Sequence, residues 1–163
     1  MSSPTTAPSP PATTGPVAFE SARYRYRINL PSTWEATPAA SDWTFTDRLD
    51  NLTPAADSFI EPDAAYPVLL TAFADEVPAG VTEDDWITDY YEGTNVDGVN
   101  CAETIKFTDI TVGGRSATLG TNDECFDVQA FVFSDGQVHV FAIWRGTQSA
   151  LLQRFLSSVR FLD

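Results

Sequence analysis

Histidine is scarce in this chain, with His139 the only one among 163 residues. A Ser-His-Asp relay needs a hydroxyl within reach of the imidazole and an orienting acid behind it. Ser134 and Asp135 precede His139, but they are turn residues by type, favoured there for their local hydrogen bonds. No G-x-S-x-G elbow occurs either. His139 is therefore expected to be solvent-facing or an internally satisfied structural residue. The only two cysteines, Cys101 and Cys125, match no zinc spacing when combined with one histidine. Cysteine nucleophile chemistry with His139 as base would require a free thiol. Gly113-Gly114 lacks the lysine and the following helix of a phosphate loop. Asn95-Val96-Asp97-Gly98-Val99-Asn100 departs from a calcium loop, because its glycine is fourth instead of sixth and Lys106 stands where the bidentate acid belongs. An ordinary Asp-Gly turn is expected there. No catalytic residue, cofactor or metal site is nominated.

Positive charge is also in short supply. Nine Lys and Arg face 23 Asp and Glu, for a net charge of −14. Between Glu35 and Glu103, Arg48 is the one basic residue. Phosphate backbones would repel such a chain, which excludes nucleic acid as a partner, and an anionic membrane surface would do the same. The acids form either a solvated face or a surface for a cationic partner or calcium. No apolar run approaches the roughly 18 residues that span a bilayer.

A removable export signal is missing as well, since Met1 leads straight into Ser2-Ser3-Pro4-Thr5-Thr6. Residues 1–17 are too rich in Pro, Thr and Ser to bury a core and are expected to be a disordered tether, with a folded domain over 18–163. That composition favours a start just after a cleaved export signal, with a lipid anchor upstream of residue 1 as one form of it, over a tail on a cytosolic protein. Cys101 and Cys125 are then either a disulfide or two free thiols, and an extracytoplasmic setting favours the bond. Closing that loop would stabilise the fold by roughly 3 to 4 kcal/mol in the chain-entropy view.

What is present is a strong alternation of apolar and polar residues. Tyr24, Tyr26, Ile28 and Leu30 fall on one face of a half-buried strand that Pro31 ends, and ordered structure is expected from about Phe19. Trp43–Thr46 predicts a short second strand, residues 48–66 a loop, and Val68–Phe73 a strand covered on both faces. Thr82 is a plausible helix N-cap, with Glu83, Asp84 and Asp85 in the first turn and Trp86, Ile87, Tyr90 and Tyr91 on one stripe, ended by Gly93. Ile105–Val112 and Ser116–Leu119 flank Gly113-Gly114, while Val128–Phe133 and Val138–Trp144 flank another hairpin turn. A last helix is expected from about Thr147, followed by an extended Val159–Leu162. The order implies an α+β fold: a single domain with a central antiparallel sheet between helical layers.

Tyr26, Ile28, Pro31 and Trp34, together with the amphipathic helix running into Val159-Arg160-Phe161, give the chain a resemblance to the PsbP-like family. That family includes extrinsic proteins of photosystem II, Ran-binding nuclear import factors and secreted bacterial lipoproteins of the LpqN type. The resemblance implies an α/β/α sandwich and an extracytoplasmic location, and it implies no reaction. The leading expectation is a non-catalytic exported domain that docks to a protein partner or to the cell envelope. Glu83, Asp84, Asp85 and Asp89 are its candidate partner-binding face. The alternative is an envelope protein holding a small ligand in an apolar pocket between sheet and helix, and a hydrolase is a distant third.

Overall fold

The computed structural model describes residues 15–50, 52–62, 65, 67–125, 127–144 and 149–163. Most of the expected tether, and the expected start of the last helix at Thr147, lie outside them. In chain order the elements are β1 (Val17–Ser21), β2 (Tyr26–Leu30), β3 (Glu35–Thr37), a 3₁₀ turn (Phe45–Asp47), β4 (Asp57–Ile60), β5 (Leu69–Glu76) and α1 (Glu83–Tyr91). There follow β6 (Asn95–Val96), β7 (Val99–Asn100), α2 (Cys101–Thr104), β8 (Lys106–Val112), β9 (Arg115–Asn122), β10 (Asp127–Ser134), β11 (Gln137–Trp144), α3 (Ser149–Leu156) and β12 (Arg160–Phe161).

Seven strands make one antiparallel sheet in the order β3-β4-β5-β11-β10-β9-β8, and β1, β2 and β12 make a second. The strands β6 and β7 pair on their own, and the hairpins turn where the sequence expects. Asp97-Gly98, Gly113-Gly114 and Asp135-Gly136 all have positive φ, the conformation that two-residue turns need to match strand twist.

The two faces of the large sheet are covered differently. On β11, Phe141 meets Tyr26 edge-on at 5.2 Å and His139 meets Phe161 at 4.9 Å. The face bearing them lies under the small sheet and α3, whose Leu152, Phe155 and Leu156 are buried. On the opposite face Phe131 lies 5.6 Å from Tyr90, and Phe73 stacks on Trp43 at 4.1 Å. Here α1 forms the roof through Trp86, Ile87, Tyr90 and Tyr91. Each fully buried side chain of this size contributes roughly 1.5–3 kcal/mol by leaving water. The α1 start is fixed by a capping box: Thr82 Oγ1 accepts from the Asp85 N–H at 3.1 Å, and the Asp85 carboxylate accepts from the Thr82 N–H.

Several local expectations are corrected. Tyr24 is not in a strand: Arg25 takes φ +56, so the chain turns there and β2 starts at Tyr26, paired with the unforeseen β1. The Tyr24 side chain is buried all the same, its hydroxyl against the Ala55 carbonyl and accepting from the Trp43 N–H at 3.0 Å. Trp43–Thr46 is no strand, because the Asp47 carboxylate accepts from the Thr44 N–H and hydroxyl, both at 2.9 Å, and closes a 3₁₀ turn there. The 48–66 loop contains β4, which buries Phe59 and Asp57. Asp57 is tolerated there because both its oxygens accept hydrogen bonds, from the Tyr26 hydroxyl and from the Ala39 N–H, each at 2.8 Å.

Candidate ligand-binding pocket

Where α1 ends, its last two residues lean over the ends of β10 and β11. The β6–β7 ribbon closes one side and the chain after the 3₁₀ turn closes the other, leaving a cavity of about 500 Å³. Tyr90 and Tyr91 form the roof. Asp127 and Gln129, two residues apart on one face of β10, form the floor, and Trp144, Val96, Arg48 and Leu49 the walls and mouth. Asp127 pairs in register with both Trp144 and Asn122, and Gln129 with both Ala142 and Gly120. The floor is thus paired with a neighbouring strand on each side.

Its polar groups are incompletely satisfied. Gln129 Nε2 donates to Asp127 Oδ2 at 3.4 Å. Asp127 Oδ1, Gln129 Oε1, the Tyr91 hydroxyl and Arg48 Nε are shielded from solvent and have no partner among the described residues. Among the described residues only two further side-chain atoms share that condition, Trp86 Nε1 and His139 Nδ1. Four of six unpartnered atoms therefore belong to one cavity's lining. Asp127 is 4 % exposed and Gln129 1 %, so water does not serve them from outside. Burial pushes the Asp127 carboxyl up to about 6, against a smaller downward pull from the Gln129 amide. Burial and then the Asp127 charge push the Tyr90 and Tyr91 hydroxyls well up, so both stay neutral. Arg48 commits its terminal nitrogens to the carbonyls of Phe45 and Glu92, both at 3.1 Å. The second of these is at the C-terminal end of α1, where a cation is favoured.

A disulfide between Cys101 and Cys125, with Cα atoms 5.9 Å apart, holds this end of the molecule together. Cys101 directly follows the β6–β7 ribbon, and Cys125 lines the cavity. Asn122, fully buried, reinforces the link: its amide donates to the Cys101 carbonyl at 2.9 Å and its oxygen accepts from the Cys125 N–H at 3.0 Å.

The residues singled out in the sequence lie elsewhere. Glu83, Asp84, Asp85 and Asp89 are all exposed on α1, with Asp85 occupied by the capping box. His139 is buried on the other face of the sheet. Its Nε2 bonds the Tyr24 carbonyl at 2.8 Å, which places the ring proton there, and burial lowers its pKa. Ser134 is engaged by other groups, accepting from Arg115 at 2.7 Å and donating to Asp135 at 2.9 Å. Asp97-Gly98 is a hairpin turn, and among the described residues no cluster of three or more His, Cys, Asp or Glu has metal-site geometry. Asp127, Gln129 and Arg48 were not nominated from sequence, and Tyr91 was assigned only to a core stripe. A signal did exist: Gln129 is the one polar residue in the otherwise apolar run Val128–Phe133.

No protein-family profile matches the chain, and no curated protein sequence does. Among solved structures, the solution structure of cyanobacterial PsbP from Synechocystis sp. PCC 6803 superposes with a TM-score of 0.58 at 14% identity, covering 96% of this chain and 98% of that one. A crystal structure from Bacteroides thetaiotaomicron gives a TM-score of 0.42 at 13% identity, covering 93% of this chain and 50% of the other. The first of these superpositions covers nearly the whole of both chains, and it shows that this chain has a PsbP-like fold.

Proposed function

We propose that this protein is an exported, non-catalytic domain that holds a small molecule in the cavity at the end of α1. The observation that carries this reading is the buried, half-partnered carboxylate of Asp127 on the cavity floor. A charge left unpaired in the interior opposes folding, and the same sheet satisfies Asp57 completely. A cavity of this size with a few converging polar groups under aromatic walls has the form of a small-molecule site.

Export is supported by the disulfide, which persists in oxidising compartments. No helix among the described residues is long and apolar enough to cross a membrane. A non-catalytic role is supported by the structural contacts that already engage the reactive side chains. His139 is bound to Tyr24 and packed on Phe161, while Ser134 is engaged by Arg115.

The deciding experiment is native mass spectrometry of protein purified from its natural host, compared with a Val96→Trp variant that fills the cavity. A small molecule retained by the wild type and lost from the variant is expected. No adduct, or the same adduct on both proteins, would overturn the reading. Docking of a protein partner is a second role compatible with the first, favoured by the exposure of Glu83, Asp84 and Asp89 on one helix. Neutralising all three should then remove specific partners from an envelope pull-down, and unchanged partners would end that idea.

A further inference from the structure

Resting on the pocket reading, we propose that the ligand presents a primary ammonium group to the cavity floor and an apolar body to its mouth. The count of polar atoms leads there. Asp127 Oδ1 and Gln129 Oε1 are acceptors, and the Tyr91 hydroxyl can accept. Gln129 has its amide nitrogen turned to Asp127, so its oxygen is left for another donor. Three acceptors on residues that line one cavity, one of them anionic, match in number the three N–H donors of an ammonium. Among the described residues nothing donates to them. The fourth unpartnered atom, Arg48 Nε, is a donor and does not compete for that group.

The surroundings favour the same choice. The rings of Tyr90, Tyr91 and Trp144 border the cavity, and aromatic faces attract cations. Arg48 brings positive charge to the wall, but its terminal nitrogens face carbonyls at the α1 C-terminus instead of the floor. Leu49, 62% exposed at the mouth, gives an apolar body something to cover. A protein of net charge −14 also draws cations toward every opening. Because the Asp127 carboxyl titrates near 6 while both tyrosines stay neutral, a proton would compete with the ammonium for the same oxygen in mild acid.

The test is an NMR titration of the full chain at neutral pH with three probes of similar shape. These are phenethylammonium, its N,N,N-trimethyl analogue and phenylpropanol. Phenethylammonium should shift the backbone amides of Val96, Asp127 and Gln129 and bind about ten-fold or more tightly than the other two, as expected for charge-assisted hydrogen bonds. Asp127→Asn should abolish that preference while keeping a native spectrum. Tyr91→Phe, which keeps the ring packing, should weaken it by a smaller factor. If all three probes bind the cavity equally, or Asp127→Asn leaves the preference intact, the ammonium inference fails and the pocket reading stands. If none of them shifts those amides, both fail.

Discussion

Replacing Asp127 with asparagine should make the protein more stable at neutral pH, and the gain should disappear in acid. Burial raises the carboxyl from 3.8 to about 6. A carboxyl whose native pKa lies above its unfolded value binds its proton more tightly in the folded state. Its ionisation therefore opposes folding fully above the native value, and the opposition fades as pH falls toward the unfolded value. A shift of about two units corresponds to roughly 3 kcal/mol at neutral pH. In a domain of this size that is roughly 6–12 °C in Tm. His139 works in the other direction. Its pKa is lowered by burial, so the neutral ring favours folding, and that stability is lost as pH falls below the unfolded value of about 6.5. The two residues thus partly cancel in the wild-type profile. The difference between wild type and Asp127→Asn isolates Asp127, because His139 is common to both. Urea unfolding at several pH values from about 4 to 8 measures it, through ΔG from the linear extrapolation. The asparagine variant should gain at the upper end and converge on wild type at the lower. A variant equally or less stable at neutral pH, or a difference that does not change with pH, would refute the reasoning and show that the floor is neither unpaired nor strained by charge.

Removing the disulfide by Cys101→Ala and Cys125→Ala together should cost roughly 3 to 4 kcal/mol; an unchanged urea midpoint would show that the unfolded chain gains no freedom from the loss. Asn122→Ala, which strands the Cys101 carbonyl and the Cys125 N–H, should cost roughly 1–3 kcal/mol by the same assay. Gly113→Ala should destabilise by roughly 1–3 kcal/mol, since its φ is +57 and the new Cβ would lie 2.9 Å from the Phe161 ring. That ring cannot easily yield, being held between Arg115 at 4.3 Å and His139 at 4.9 Å. Gly114→Ala meets open space and should cost less; the reverse order in Tm would count against this packing.

Much of this architecture was legible because it repeats. The α1 stripe of Trp86, Ile87, Tyr90 and Tyr91 has helical spacing, and the β8–β9 and β10–β11 hairpins alternate around turns that need positive φ. Where the period is short or the residues are mixed, the signal fails. β1 is an edge strand exposed at Val17, Ala18 and Glu20, and β4 is only Asp-Ser-Phe-Ile. Both exist through tertiary pairing, and Asp57 looked like a loop residue because nothing local reveals that Tyr26 and the Ala39 N–H will meet it. The small sheet over the His139 face was hidden for the same reason, since β12 pairs with β2 from the opposite end of the chain.

The cavity was illegible in a different way. A strand buried on both faces is most stable when wholly apolar, and β10 is so at Val128, Ala130, Phe131 and Val132. Asp127 and Gln129 break that rule on one face and near one end. The sequence displays the exception, but an isolated polar residue has the same appearance whether its partners are elsewhere in the fold, as for Asp57, or absent. Only the convergence of Tyr91 from α1 and Arg48 from the chain after the 3₁₀ turn distinguishes the two cases. An apolar side chain at position 127 would suit the sheet better and take the carboxylate out of the cavity floor. The exception opposes folding at a place where the roof, the ribbon and the disulfide leave room for a molecule, and this coincidence is what favours the proposed binding site over a mere packing fault.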